Sequence, residues 1–416
     1  MNKLAPLLAC LVLAACGGSG GGGTDAPGTV ASGRLDPTFG SEGRVSLARA
    51  GFPVAMDVAP DGSILLSGLP TQKLDPRGIP DVAFGEGGRY SVFPTLSATS
   101  DGVGGMFATS GGPSGVLHLD ARGRLDLEFG VNGFAVFPSG GASVFAREGD
   151  GELVGARYAG DAGPGFPSRI EIAKLDGRGR SVEAFGEGGS RRIELTQWRG
   201  SVANGLSIAS DAAGNVYVAG VVRDSPALFV IKLDQRGNLA ADYVGDGIWI
   251  GAPCDGPPGF GAPALAVDVA GSVLVGANCL PGGSSAGPGI MKLDPRGMTV
   301  AGFRDMGRQP GLFGVGIGAV RAIVVRANGD IYASGSMRSS AAECADLVVA
   351  KLRASGESAG DFGQGGIARF RDNDGEFRYL AFDSQGRLYA GGETEGDCAP
   401  TFGGPPFAFV VYRLTP

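Results

Sequence analysis

Short runs of alternating apolar and polar residues divide most of the chain into pairs of predicted strands. Five pairs are clear: VAPDGSILLSG, SIASDAAGNVYVAG, ALAVDVAGSVLVGA, AIVVRANGDIYASG and LAFDSQGRLYAGG. In each, a strand leads into a tight turn that contains a Gly, which supplies the positive φ that hairpin turns require. Weaker copies at Asp101-Gly102 and Asp150-Gly151 complete a set of seven. Alternation over such short runs predicts an all-β fold built from hairpins.

A second motif, Phe-Gly, recurs between these hairpins at intervals of 45 to 60 residues. A Gly stands six residues before each aromatic residue and, in all but the first copy, a Leu stands ten before it. The aromatic residues of the seven copies are Phe39, Phe84, Phe129, Phe185, Tyr243, Phe303 and Phe362. Fixed offsets over ten residues indicate a rigid local unit. We expect each copy to form part of the fourth strand of a four-stranded unit whose strands are called a to d.

Seven antiparallel units of four strands predict a seven-bladed β-propeller over residues 33–416. The two ends of the chain support a closed ring. The last predicted strand, at residues 407–414, is a c strand with no d strand after it. The first predicted strand, at residues 33–47, is a d strand with no c strand before it. Pairing these two strands completes the seventh blade and removes the edge that would otherwise invite aggregation, so we expect a monomer.

The segment GRLDPTFGSEGRV at residues 33–45 resembles the delta-60 repeat, a β-propeller-like repeat of bacterial secreted and surface proteins. The resemblance covers nearly all of the chain after residue 32. It implies the fold and no particular activity, because the family has no settled one. Its core Asp is present as Asp36, Asp81 and Asp126 but is absent from the other four copies. We therefore expect this Asp to be a turn residue and not a ligand.

The N-terminus resembles a bacterial lipoprotein signal. Lys3 precedes an apolar run that is too short to span a bilayer, and Leu13-Ala14-Ala15 leads into Cys16. The resemblance implies a signal peptide at residues 1–15, a lipid on Cys16 and a flexible Gly-rich tether at residues 16–32. Gly17, in place of Asp, implies sorting to the outer membrane. We expect a protein of the bacterial cell envelope that is anchored to the membrane through Cys16.

Charge and composition narrow the partners. Hydrophobic residues make up 43% of the chain, which argues against disorder despite 77 Gly residues. The formal net charge is −7, and the charges are dispersed. Such a chain offers no basic footprint for nucleic acid, which we exclude as a partner.

Four cysteines follow Cys16 in the exported part, an even number that predicts disulfides. In the propeller arrangement Cys254 and Cys279 lie in loops of blade five. Cys344 and Cys398 lie in the b to c loops of blades six and seven. We expect Cys254 to pair with Cys279 and Cys344 with Cys398.

The sequence offers little catalytic chemistry. His118 is the only histidine, and it stands directly before a c-strand Leu where the other repeats have Lys or Arg. We expect it to be a solvated strand residue. One His also disfavours a His-based zinc site and a Ser-His-Asp triad.

Antiparallel strands place the a to b and c to d turns on one face, the turn face, and the longer loops on the other, the loop face. Binding residues usually lie on such loops. The candidate ligand-binding residues on the loop face are Trp198, Arg199, Glu343, Glu393, Glu395 and Asp397. Asp372, Asp374 and Glu376 have the oxygen ligands and spacing of a calcium site. They lack the twelve-residue loop and bidentate Glu of an EF-hand, which favours a solvated acidic rim. No other cofactor is predicted.

These observations favour a non-catalytic binding or scaffolding module of the cell envelope. It would present its variable loop face to an envelope protein or glycan. The alternative is an enzyme that uses two rim carboxylates to cleave envelope or extracellular carbohydrate. A third hypothesis, adhesion stabilised by calcium, predicts a melting temperature that falls on chelation.

Overall fold

All regular structure in the described part of the chain is β-strand. The computed structural model describes residues 32–48, 55–110, 115–159, 168–195, 202–222, 228–251, 262–277, 288–304, 308–309, 312–313, 317–338, 344–371, 374–395 and 408–416. Within these ranges no helix is long and apolar enough to cross a membrane. The predicted signal peptide and lipidation site lie outside the described residues.

The strands form seven four-stranded sheets, which are the seven blades. From blade one to blade seven, the a strands are β2 (Ala55–Val58), β6 (Thr95–Ser100), β10 (Val144–Arg147), β14 (Val202–Ser210), β18 (Ala264–Val267), β22 (Ile317–Val325) and β26 (Asp374–Phe382). The b strands are β3 (Ile64–Ser67), β7 (Met106–Ser110), β11 (Leu153–Tyr158), β15 (Val216–Val222), β19 (Val273–Ala277), β23 (Ile331–Arg338) and β27 (Leu388–Glu395). The c strands are β4 (Thr71–Leu74), β8 (Val116–Leu119), β12 (Ser168–Leu175), β16 (Leu228–Leu233), β20 (Gly289–Leu293), β24 (Asp346–Leu352) and β28 (Ala408–Leu414). The d strands are β5 (Arg89–Tyr90), β9 (Phe134–Ala135), β13 (Ser190–Leu195), β17 (Ile248–Gly251), β21 (Arg308–Gln309), β25 (Ile367–Phe370) and β1 (Arg44–Ala48).

The ring closes as the sequence predicts. In blade seven, β1 pairs antiparallel with β28, so that Arg44 lies opposite Tyr412 and Ala48 opposite Ala408. The a strands of neighbouring blades contact one another in cyclic order, including those of blades seven and one. Strand a is therefore innermost and strand d outermost. The protein is a seven-bladed β-propeller whose first and last strands share a blade.

The Phe-Gly motif is a turn and not part of strand d, which corrects the prediction from the sequence. The predicted strand at residues 33–47 is regular strand only from Arg44. Before that it has isolated bridges, of which Leu35 with Leu414 is the one that reaches strand c. The same holds in blade six, where β25 begins at Ile367, five residues after Phe362. Each motif instead forms an ordered connection between strands c and d.

This connection joins each blade to the next. The backbone N–H after the motif aromatic donates to a carbonyl in the c to d turn of the following blade, at 2.7 to 3.0 Å in all seven copies. Gly40 donates to Arg77 in this way, and Gly363 donates to Ser32 across the closure. The donor residue has a left-handed backbone, with Gly in five copies and with Val244 (φ 44°) and Arg304 (φ 46°) in the others. The recurrence of the motif thus reflects one inter-blade joint per blade.

Packing at the joint explains the Gly six residues before each aromatic. The aromatic ring is at most 2% exposed in every copy and lies beneath the c to d turn of the next blade. A Cβ on Gly78 would meet the ring of Phe39 at 2.9 Å, and one on Gly356 would meet that of Phe303 at 3.0 Å. Among the described residues the core consists of seven hydrophobic clusters, one between each pair of neighbouring blades, and each cluster contains one motif aromatic. A blade is therefore stabilised mainly by its neighbours.

Candidate functional site

In every blade, the residue directly before the c-strand Leu has a basic side chain, and most of this side chain is buried. The seven residues are Lys73, His118, Lys174, Lys232, Lys292, Lys351 and Arg413. The side chains of Lys174 and Arg413 are each only 3% exposed. Three of the bases lie over the motif aromatic of their own blade, for example Lys174 Nζ at 5.3 Å from the ring centroid of Phe185. The prediction of a solvated position is therefore wrong for this row of residues.

Acidic residues of the a to b turns neutralise several of these buried bases. In blade five, Asp268 Oδ1 accepts the backbone N–H groups of Ala270 and Ser272, and Oδ2 lies 2.9 Å from Lys292 Nζ. One carboxylate therefore caps the turn and balances the charge. In blade six the first turn residue is Arg326, and Asp330 approaches Lys351 at 3.5 Å instead. These ionisable groups stabilise the fold and are not open to a ligand.

His118 occupies this basic position in blade two. Its Nδ1 lies 2.9 Å from Asp126 Oδ2 and its Nε2 lies 3.2 Å from Asp101 Oδ2. The ring stacks on Phe107 with centroids 4.5 Å apart. Burial disfavours the charged ring, but the two carboxylates outweigh burial and hold the pKa of His118 above its usual value. Both nitrogens are engaged, so the ring has none left to activate a nucleophile or bind a metal ion.

Among the described residues, one cluster of three carboxylates is compact enough to hold a cation. Oxygens of Glu148, Asp150 and Glu152, in the a to b turn of blade three, lie within 4.8 Å of one another. Lys174 Nζ, however, lies 2.8 Å from Glu148 and 3.3 Å from Glu152. A metal ion here would have to compete with this ammonium group. The cluster thus fits the same pattern of acid and base pairing.

The loop face of blades six and seven carries a different arrangement, which we call the bulge network: Arg321, Glu376, Arg378 and Glu393. The pairing of β22 with β23 shifts register between Val320 and Ala322, and that of β26 with β27 shifts between Phe377 and Tyr379. The extra residues are Arg321 and Arg378. A β-bulge leaves such a residue out of the ladder and re-aims its side chain. The two arginines therefore depart from the alternation of their strands.

Ion pairs connect the bulge network across the two blades. Arg321 Nε donates to Glu376 Oε2 at 2.8 Å, and Arg378 Nε donates to Glu376 Oε1 at 2.9 Å. Arg378 also lies 3.3 Å from Glu393. Side-chain exposure runs from 16% at Glu376 to 45% at Arg378. The network is accessible, and because β22 and β26 are innermost strands it lies beside the central opening of the ring.

The geometry of Glu376 bears on the carbohydrate-cleaving alternative. A general acid must carry the proton that it donates to the leaving group. Both oxygens of Glu376 accept hydrogen bonds from arginines, so neither is free to carry that proton. Glu376 is better suited to hold its arginines in place than to act in proton transfer.

Two of the remaining predicted site residues, Cys344 and Asp374, have side chains within the described part of the chain. Asp374 Oδ1 accepts the backbone N–H of Ala345 at 2.7 Å, next to Cys344, which is disulfide-bonded. Asp374 lies opposite Glu395 in the β26–β27 ladder, and the side chain of Glu395 lies outside the described residues. Also outside them are Cys16, Trp198, Arg199, Cys254, Cys279, Glu343, Asp372, Asp397 and Cys398. The calcium set, the disulfide pairing and the role of Trp198 and Arg199 therefore stay predictions.

Arg321 and Arg378 were not predicted as site residues. Each stands eight residues before the Gly of its a to b turn, Gly329 in blade six and Gly386 in blade seven. Two arginines at the same offset in adjacent repeats were a visible signal. The direction of their side chains could not be predicted from the sequence, because a bulge depends on how two strands pair.

Comparisons with known proteins give likenesses to solved structures at low sequence identity. No protein-family model and no curated protein sequence matches the chain. Among solved structures, a GH74 xyloglucanase from Xanthomonas campestris aligns at 14% identity over 88% of this chain and 55% of its own, with a TM-score of 0.46. A protein of unknown function from Bacteroides caccae aligns at 15% identity over 74% of this chain and 99% of its own, with a TM-score of 0.41.

A glucose dehydrogenase aligns at 14% identity over 76% of this chain and 94% of its own, with a TM-score of 0.42. At such identities a likeness concerns the fold alone, and at these TM-scores it carries no argument about activity. Function must be argued from the side chains of this chain.

Proposed function

We propose that the protein is a non-catalytic binding or scaffolding module of the bacterial cell envelope. In this proposal a lipid on Cys16 holds it at the outer membrane, the tether at residues 16–32 spaces it from the bilayer, and its loop face binds an envelope protein or glycan. The delta-60 resemblance is part of the same proposal, because it associates this repeat with secreted and surface proteins.

The observation that carries the proposal is the contrast between the two faces. The bases beside the turn face are largely buried and lie against partners within the ring, such as Lys292 with Asp268. On the loop face, the bulge network is mixed in charge and partly exposed. Arginine is enriched among the residues that dominate binding energy at interfaces, and charged rims favour specific encounter. A partner that meets Arg378 and Glu393 would find both a donor fork and a carboxylate.

A pull-down from detergent-solubilised bacterial envelope tests the proposal with the full chain. The variant R378A/E393Q should lose the captured protein or glycan, because it removes the more exposed part of the network. The matched control is R353A/D361N, which breaks the exposed pair of Arg353 and Asp361 at 2.8 Å in the c to d connection of blade six, near the turn face. It should retain the partner.

Two outcomes would contradict the proposal. If the wild type captures nothing beyond the resin background, or if both variants capture the partner equally, the loop face of blades six and seven is not its binding surface. Release of reducing sugar from the same envelope fraction by the wild type, lost in an E376Q/E393Q variant, would favour the carbohydrate-cleaving alternative.

A further inference from the structure

Blade three departs from the other six blades in one transverse row of residues. In it, Arg157 of β11 lies opposite Glu171 of β12, which lies opposite Arg192 of β13. The same row reads Gly220, Phe229 and Ile250 in blade four and Gly392, Val410 and Ser46 in blade seven. In blade six it reads Gly335, Val348 and Arg369, so only the arginine of strand d recurs. Arg191, next along β13, matches the buried residues Trp249, Ala368, Tyr90 and Ala135 of blades four, six, one and two, and Val45 and Gln309 of blades seven and five.

These substitutions break the rule that the repeat itself sets. Buried or half-buried charges are costly unless they are paired. Glu171 is buried and Arg157 and Arg191 are half-buried, at positions that are elsewhere apolar or small apart from Gln309 of blade five, so these three charges do not improve the packing of blade three. Arg192 lies at an exposed position of strand d, where blade six also has an arginine, Arg369. Local departures of this kind are expected where function, and not folding, selects the residue.

The charged row is organised around Glu171. Arg157 donates from Nε (3.0 Å) and Nη2 (2.7 Å) to one oxygen of Glu171, and Arg192 donates from Nε (3.1 Å) and Nη2 (2.7 Å) to the other. Burial disfavours the charge on Glu171, but the two arginines outweigh burial and hold its pKa below the usual value. The carboxylate uses two donors of each guanidinium group, and each group has five.

Both arginines also line a cavity of about 470 Å³ between blades two and three. Its walls are Arg157, Glu171, Arg191 and Arg192 together with Pro138, Ser139, Glu187 and Ser190. Arg191 Nε is buried and has no hydrogen-bond partner in the structure. Buried polar groups are nearly always paired in folded proteins, so an unpaired donor on a residue that lines a cavity is a candidate partner for a ligand there.

The lining indicates which ligand chemistry would fit. Three guanidinium groups against two carboxylates leave an excess of positive charge, in a protein whose net charge is −7. Arginine forks match the planar geometry of a carboxylate. The hydroxyls of Ser139 and Ser190 and the carboxylate of Glu187 are suited to sugar hydroxyl groups. The volume falls in the usual range of small-molecule sites, roughly 300 to 1,000 Å³.

We propose that this cavity is a binding site for a carboxylated sugar, such as a hexuronate residue of an acidic glycan. The sugar carboxylate takes the unused donors of Arg157 and Arg192 and the Nε of Arg191. The site is separate from the bulge network and does not depend on the function proposed for it.

Isothermal titration calorimetry on the full chain at low ionic strength tests the assignment, with D-glucuronate, inorganic phosphate and D-glucose as probes. We expect glucuronate to bind and glucose not to bind. R191A should weaken glucuronate binding at least about tenfold, because a hydrogen bond to a charged group is lost. This variant introduces the residue that blades two and six already have at this position, so the fold should tolerate it.

A second variant, R157G/E171F/R192I, gives blade three the apolar row of blade four and should abolish binding. R353A, which removes an exposed arginine of blade six, is the matched control and should bind as the wild type does. Melting temperatures of all variants establish that they are folded, and if the triple variant is not, R191A remains the test. Equal affinity of R191A and wild type, or no binding of glucuronate, would overturn the proposal. Phosphate binding as tight as glucuronate binding would overturn the assignment to a sugar.

Discussion

Replacement of Lys174 by Met tests whether the buried bases stabilise the ring through their charge. Lys174 and Glu148 are 3% and 4% exposed and lie 2.8 Å apart, while Glu152, at 3.3 Å, is 29% exposed. Methionine keeps the length of the side chain and much of its packing. The substitution therefore leaves Glu148 buried without its counter-charge.

The expected cost follows from this burial. Removal of one partner of a buried ion pair typically costs about 3–5 kcal/mol of unfolding free energy, because the other charge is left uncompensated. In K174M/E148Q no uncompensated buried charge remains, so the double variant should be more stable than K174M although it carries one more substitution. The loss of the contact between Lys174 and Phe185 is common to both variants and cancels in the comparison.

The pH dependence sharpens the prediction. Burial already raises the pKa of Glu148 despite Lys174, and without Lys174 it should rise further. A carboxyl group with a raised pKa in the folded state favours folding in its protonated form, so K174M should regain stability as the pH falls towards that pKa. The stability difference between K174M and K174M/E148Q should therefore shrink from pH 8 to pH 5.

Urea unfolding followed by far-UV circular dichroism at several pH values measures all three proteins. Equal losses in the single and the double variant, with a difference that does not change with pH, would show that Lys174 contributes packing and not charge. The wild type and E148Q complete the thermodynamic cycle.

Three further predictions follow from the same framework. Because the pKa of His118 is raised in the folded protein, its stabilising charge is fully present below the unfolded pKa of 6.5 and is lost as the pH rises through the folded pKa. The melting temperature should therefore fall more from pH 6 to pH 9 in the wild type than in H118K. Parallel curves of melting temperature against pH would refute this. At the inter-blade joint, G186A places a Cβ against the carbonyl of Ser190 and should lower the free energy of unfolding by at least about 1–2 kcal/mol. V244G removes a Val from a left-handed backbone conformation and should raise the free energy of unfolding by up to about 1 kcal/mol. Urea unfolding measures both variants. Removal of residues 1–48 deletes β1 and exposes the edge of β28, so size-exclusion chromatography should show aggregation that a deletion of residues 1–31 does not cause; a monodisperse product of the longer deletion would contradict the role of closure.

The fold was largely predictable because its signals are local and repeated. The hairpin turns and the Phe-Gly spacing gave the number of blades, and the c strand at the end of the chain gave the closure. The burial of Phe39 was not predictable in the same way, because its covering residue, Gly78, belongs to the next blade. His118 was assigned to solvent for a related reason, since Asp101 approaches it from a turn seventeen residues away.

The candidate sites were less predictable because they depend on strand register. Glu376 and Glu393 were recognised as loop-face acids, but Arg321 and Arg378 join them only through bulges. The row of Arg157, Glu171 and Arg192 consists of three residues that are far apart in sequence and become neighbours only when β11, β12 and β13 pair. Periodicity identifies which residues share a face of a strand, but it does not fix which residues lie opposite one another.

A repeat protein carries its own reference for separating folding from function. A residue that makes the same contact in all seven blades, as at the inter-blade joint, is explained by the packing of the ring. Where one blade places charge at positions that the others fill with apolar or small residues, packing cannot explain the choice, because the repeat shows the better-packed alternative. Arg191 adds a second observation, since its buried Nε has no partner in the structure, whereas Trp249 fills the same position in the neighbouring blade. An acceptor that enters the cavity and pairs with this donor would recover the cost of leaving it unpaired, which is the physical reason to expect a ligand there.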